Sequence, residues 1–273
     1  MKLAILFTAV LPLMALAQPS LSRVSETADL RVPESALVWQ RQSGGSLLVS
    51  EIDGAGTTVD GQGGVALLQL DGRLVKQDWL RGLNAPKGMA IHGDRLFVAD
   101  LTELVEVDLS TAQIIQRYPA EGAVFLNDVT VDAAGLVYVS DTRTNRIYRL
   151  QQGKLQLWQQ QMMSANGLKA TAQGLVVGAG KQLLLLDDSG KSRLLAEGFA
   201  SGIDGIEPLT EGGFLVSCWV GLIYHVSADG NVSLLLDSKG KFNTADIGYD
   251  PATQLLYVPG FNANSLQIYR FEP

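Results

Sequence analysis

The chain contains one cysteine, Cys218, so no disulfide within it can hold the fold. Stability must come from packing and from any metal it binds. Histidine is almost as scarce. His92 and His225 are the only two, they lie far apart, and neither has metal-ligand spacing, so both read as structural residues. No serine sits in a G-x-S-x-G pattern, which removes the nucleophile elbow. The tripeptide Gly190-Lys191-Ser192 has Leu185 where a phosphate-binding loop needs glycine, so it reads as a turn. Positive charge is short as well: 21 Lys and Arg face 28 Asp and Glu, for a formal net charge of −7. An acidic chain argues against nucleic-acid or anionic-membrane partners and suits a cation.

Long apolar runs are missing except at the start. Residues 1–17, MKLAILFTAVLPLMALA, carry Lys2 ahead of an apolar stretch and end in Ala15-Leu16-Ala17 before Gln18. The run falls short of the roughly 20 residues that span a bilayer, and Pro12 interrupts it. It reads as a secretory signal peptide with an A-x-A cleavage site, which implies a periplasmic or secreted protein with no membrane contact after cleavage. Cys218 lies in LVSCWV, a buried-strand pattern, and reads as core.

What is present is a repeat. Residues 123–150, AVFLNDVTVDAAGLVYVSDTRTNRIYRL, alternate apolar and polar residues in three short runs separated by turn residues. This predicts three antiparallel strands. Similar stretches open at Asn84, Ser164, Ser201 and Thr244, with a divergent copy at Val32. The steps Lys87 to Asn127, Asn127 to Asn166, Asn166 to Asp204 and Asp204 to Ala245 are 40, 39, 38 and 41 residues. A period near 40 made only of short strands predicts an all-β, six-bladed β-propeller over residues 32–273. Residues 18–31 would supply a closing strand, over 24–30, or a loose terminus. An insertion rich in Gly, Asp and Thr between Ile52 and Val65 lengthens the first repeat, and Asp71-Gly72 marks a hairpin.

In a propeller the first strand of each blade lines the central channel, so equivalent positions form a ring. Here the ring reads Glu34, Lys87, Asn127, Asn166, Asp204 and Ala245. Four of these six offer oxygen, from two carboxylates and two amides. Polar groups at core positions need partners, and an oxygen-only set points to a hard cation, Ca²⁺ before zinc. The competing reading makes Asn-Asp and Asn-Gly ordinary turn residues.

With PES, NAPKGM, FLNDV, ANGL and GIDGI in this order, the sequence resembles the senescence-marker-protein, gluconolactonase and luciferin-regenerating-enzyme family, cousins of the paraoxonases. The likeness covers nearly the whole chain after residue 17 and is closest to an exported bacterial branch. It implies a six-bladed propeller with a divalent metal, often calcium, held by Glu34, Asn166 and Asp204 with Asn127 close by. Two departures stand out. Trp39 falls five residues after Glu34 rather than four, and Phe125 occupies the place where sugar lactonases often carry arginine. The second points to a less polar substrate.

The resemblance implies a Ca²⁺-dependent hydrolase of a lactone or related ester, with other divalent cations as alternatives. In that reading the metal ligands are Glu34, Asn127, Asn166 and Asp204. Asp204 is the catalytic base, and Asn127, Phe125 and Lys87 bind the substrate. Lys87 would orient an anionic substrate or pair with Glu34 or Asp204. The alternative is a non-catalytic exported propeller that binds a small molecule or protein at the channel mouth, with Ca²⁺ structural. The expected partner of the hydrolase is a small-molecule substrate, and a monomer is expected.

Overall fold

The computed structural model describes residues 18–41 and 44–273; the predicted signal peptide lies outside the described residues. Six four-stranded antiparallel sheets stand in a ring, a six-bladed β-propeller. The inner strands, in blade order, are Pro33–Trp39, Pro86–His92, Leu126–Val131, Ala165–Thr171, Ile203–Pro208 and Gly248–Asp250. One short 3-10 turn, Phe261–Ala263, accompanies them. Among the described residues no helix is long and apolar enough to cross a membrane.

Neighbouring blades pack face to face, and this explains the composition of their second strands. Leu47 and Val49 join the core shared with blade six, whereas Leu48 between them joins the core shared with blade two. Val98 faces blade one, and its neighbours Phe97 and Ala99 face blade three. Alternation sends successive side chains to opposite faces, and both faces are covered, so the middle of each of these strands runs continuously apolar, as in Leu47-Leu48-Val49 and Leu96-Phe97-Val98-Ala99. Each such leucine or valine contributes about 1.5–3 kcal/mol of burial. Cys218 is fully buried in the core between blades four and five, and burial pushes its thiol up to about 12. It is a packing residue.

The ring is closed by the first described strand. Ser20–Thr27 pairs antiparallel with Ser265–Glu272, so blade six is built from both ends of the described chain. At the channel the inner strands of blades one and six also meet: Ala36 N–H donates to Asp246 O at 3.2 Å, and Asp246 N–H donates to Glu34 O at 2.9 Å. The edge that an open sheet would expose is thereby paired.

Candidate metal and substrate site

Each of the first five inner strands breaks its pairing at the ring position. Register shifts fall between Pro33 and Ser35, Pro86 and Met89, Leu126 and Val129, Ala165 and Leu168, and Ile203 and Ile206. These are β-bulges, which bend a strand and re-aim a side chain. Here they aim Glu34, Lys87, Asn127, Asn166 and Asp204 at one cavity of about 240 Å³ at a mouth of the channel. Asn127-Asp128 and Asn166-Gly167 are therefore not turn residues; they sit inside strands.

The backbone groups freed by the bulges find partners. In blades one, three and five a serine of the second strand accepts from the bulge: Ser35 N–H to Ser50 Oγ at 2.9 Å, Asp128 N–H to Ser140 Oγ at 2.9 Å, and Gly205 N–H to Ser217 Oγ at 2.7 Å. Glycine follows the ring residue in blades two, four and five because inner strands approach closely there. A Cβ on Gly88 would lie 2.2 Å from Asp128 Oδ1, one on Gly167 would lie 2.1 Å from the Asp204 carbonyl oxygen, and one on Gly205 would lie 2.5 Å from Ile247 N. Only a residue without a side chain fits.

Within the cavity the oxygens are incompletely satisfied. Asn166 Nδ2–H donates to Asp204 Oδ1 at 2.8 Å. Asn166 Oδ1 and Glu34 Oε2 are buried with no hydrogen-bond partner among the described residues. Asn127 Nδ2–H donates to Thr142 Oγ1 at 3.0 Å, and Thr142 donates in turn to Ala165 O at 2.9 Å, so the Asn127 amide is fixed with its oxygen unspent. Glu34 and Asp204 are both buried. Burial, then Asp204, holds Glu34 well above the usual carboxylate range. Burial, then Asp246, pushes Asp204 up to about 8. Beneath them Asp128 is also raised by burial and Asp246, although Leu168 and Val129 N–H groups donate to it.

Among the described residues no three His, Cys, Asp or Glu side chains form a ligand cluster; the donors here are two carboxylates and two amides. That mixture suits a hard cation. Two orphaned buried oxygens in one cavity fit such an ion, because each otherwise carries its full desolvation cost.

Lys87 is only 2% exposed. Its Nζ donates to Ala85 O at 2.9 Å and to Gly56 O at 3.3 Å, so the first-blade insertion folds over the cavity. Among the described residues Lys87 makes no ion pair with Glu34 or Asp204. Burial lowers its pKa against the pull of Glu34. Ala245, the sixth ring position, is buried but does not line the cavity; Phe261 represents blade six instead.

Sequence reasoning missed three residues. Trp219 was placed in a buried strand, but the strand ends at Cys218 and Trp219 is 47% exposed at the mouth. Trp219 meets Phe261 edge to face at 5.8 Å. Arg143 lies over the Phe125 ring at 4.2 Å. Nothing in the sequence marks Arg143; it is placed by Asp141, whose carboxylate accepts from Val124 and Phe125 N–H on one side and from Arg143 and Thr144 N–H on the other. A single acid thereby fixes both the loop and the turn that carry this wall.

No family model and no curated protein matches the chain. Solved structures do. A gluconolactonase from Xanthomonas campestris is 19% identical, with 90% of this chain and 88% of that one covered at a TM-score of 0.69. A luciferin-regenerating enzyme is 14% identical, covering 94% and 96% at 0.67. A streptogramin B lyase is 9% identical, covering 93% and 98% at 0.68. At these identities the likeness is one of fold. The structural neighbours include the two kinds of enzyme that the sequence resemblance implies.

Proposed function

We propose that the protein is a divalent-cation-dependent hydrolase of a lactone or related ester, exported to the periplasm or beyond and acting as a monomer on a small molecule. The observation that carries this reading is the pair of orphaned oxygens, Glu34 Oε2 and Asn166 Oδ1, in the cavity that also holds Asp204 and Asn127. Glu34, Asn127, Asn166 and Asp204 would hold the cation. When bound, the ion, Ca²⁺ by its donor set, supplies a Lewis acid for the substrate carbonyl.

The chain's own residues do the rest. Asp204 takes one proton from the attacking water as the new C–O bond forms at the carbonyl carbon. The ring or ester C–O bond then breaks, and the proton passes to the departing oxygen. Burial and Asp246 raise the Asp204 carboxyl in the cation-free site; a bound cation would lower it again and keep it ionised, ready to accept that proton. Asn127, fixed by Thr142, orients the substrate. Phe125, Trp219, Phe261 and Ile52 exclude water from the reacting face. Fold alone does not carry this reading, since propellers host many functions; the oxygen set and the shared fold with a gluconolactonase support it.

A panel of γ- and δ-lactones and aryl esters tests it, assayed as purified, after EDTA, and after Ca²⁺ is restored. Loss on chelation and recovery on readdition are expected. One Ca²⁺ bound per chain by calorimetry, with no hydrolysis across the panel, would instead establish the non-catalytic binding module.

A further inference from the structure

The cavity has two chemically different walls. On blades two and three, Lys87 Nζ stands 4.5 Å from the centre of the Phe125 ring and the Arg143 guanidinium stands 4.2 Å from it. Two cations thus share one aromatic ring. Arg143 is exposed, and its guanidinium makes no ion pair or hydrogen bond among the described residues. Lys87 spends two of its three N–H groups on Ala85 O and Gly56 O. Across the channel, Trp219 and Phe261 pack edge to face, with Ile52 on the same cavity. In the order of the ring, blade five stands opposite blade two and blade six opposite blade three.

Two like charges beside one ring repel each other. The ring offsets part of that cost through its negative face, and an incoming anion would offset more. The carboxylates of the cavity do not fill this role. Glu34 and Asp204 form no ion pair with either cation, and a divalent ion between them would balance their charge. Lys87 is buried and lies within reach of Glu34 and Asp100, so Arg143 is the cation left without a partner at the rim. Arginine is suited to planar, bidentate recognition of a carboxylate. The opposite wall is aromatic and suits an apolar body.

We infer that this cavity takes a ligand with a free carboxylate and an apolar body, the carboxylate on the free Arg143 guanidinium at the rim beside Phe125 and the body against Trp219 and Phe261. Under the hydrolase reading, on which its role as substrate rests, that ligand is a carboxylate-bearing lactone or ester.

Calorimetric titration of the full mature chain with 4-phenylbutyrate and with its uncharged amide, 4-phenylbutyramide, tests the seat without any turnover. The acid is expected to bind about tenfold or more tightly, the scale of one charge-assisted contact. Arg143→Gln, at an exposed position, is expected to remove most of that preference, and Arg143→Lys to keep part of it. Equal binding of acid and amide, or a preference that survives Arg143→Gln, overturns the inference. The 4-nitrophenyl monoester of adipic acid and its methyl-capped diester then separate the two readings. A higher kcat/KM for the monoester that falls in Arg143→Gln supports the inference as a statement about substrate. Equal rates for both esters overturn it while leaving the hydrolase standing. Selective binding of the acid with neither ester hydrolysed supports the anion seat, and the panel of lactones and esters then decides the hydrolase reading separately.

Discussion

The side-chain N–H of Asn166 donates to Asp204 Oδ1 at 2.8 Å, and that bond decides which atom of the Asn166 amide is left over. The leftover atom, Oδ1, is buried without a partner. Asn166→Ala removes a buried acceptor that had no partner, along with one donor to Asp204. The two effects oppose each other, so cation-free stability is expected to change by less than about 1 kcal/mol. The stabilisation given by added Ca²⁺ should disappear; in the wild type it would be about 2.7 kcal/mol at a hundredfold excess over Kd. Thermal melts with EDTA and with Ca²⁺ check both halves. A full calcium-dependent rise in Asn166→Ala would remove Asn166 from the ligand set.

The buried acids make the cation-free protein sensitive to pH in an unusual sense. Burial, opposed by the Ser35 hydroxyl, pushes Asp246 up to about 7, and burial with Asp246 pushes Asp204 up to about 8. Glu34, Asp128 and Glu207 are raised in the same direction, chiefly by burial. A carboxyl raised on folding keeps its proton in the folded chain after the unfolded chain has lost it, near pH 4. Between those pH values the folded state binds more protons, so stability falls as pH rises. Denaturant midpoints in EDTA should therefore decline from about pH 5 to about pH 8. Asp246→Asn should flatten the decline, and saturating Ca²⁺, which favours the ionised acids, should oppose it. A midpoint in EDTA that climbs across this range would contradict the buried-acid arrangement.

Gly167 lies beside Asn166 within the bulge that aims it. A Cβ there would lie 2.1 Å from the Asp204 carbonyl oxygen, which is backbone and has little room to give. Gly167→Ala is expected to cost about 1–3 kcal/mol, the range of overpacked sites. Because the strands forced apart carry Asn166 and Asp204, calcium affinity should fall as well. Urea melts in EDTA and calcium titrations of the same variant measure the two effects. A neutral outcome in both would show that the inner strands separate at little cost.

The six-blade architecture was legible because both faces of every sheet are covered and the repeat recurs near 40 residues. The ring positions were legible for the same reason: Glu34, Lys87, Asn127, Asn166 and Asp204 stand at equivalent places in successive blades and line one cavity. Ala245 shows the limit of that reasoning, since the repeat placed it on the ring but its methyl group does not line the cavity. Phe261, from the 3-10 turn after the second strand of that blade, Leu255–Gly260, represents blade six there. Trp219 was hidden by its neighbours, because LVSCWV is apolar throughout and nothing local marks the strand end at Cys218. Arg143 was hidden in TRTN, which reads as a turn. Its place over Phe125 depends on Asp141 holding two segments at once, a contact with no periodic signature.

Asp204→Asn tests whether Asp204 acts as more than a ligand. The substitution keeps an oxygen for the cation and removes the carboxylate as a proton acceptor. Asn166 can still donate to that oxygen, so the local hydrogen bond of 2.8 Å has a counterpart in the variant. Part of the calcium affinity should survive, because one of the two anionic ligands has become a neutral one. Activity on a confirmed lactone or ester should fall by about 10²-fold or more, the usual scale of a general-base contribution. Measuring kcat and KM at saturating Ca²⁺ separates the two roles. Loss confined to kcat identifies Asp204 as the base, since an interaction made only in the transition state lowers kcat and kcat/KM together. Loss that more Ca²⁺ restores identifies it as a ligand alone, and the base must then be sought elsewhere in the cavity, with Glu34 the other carboxylate present.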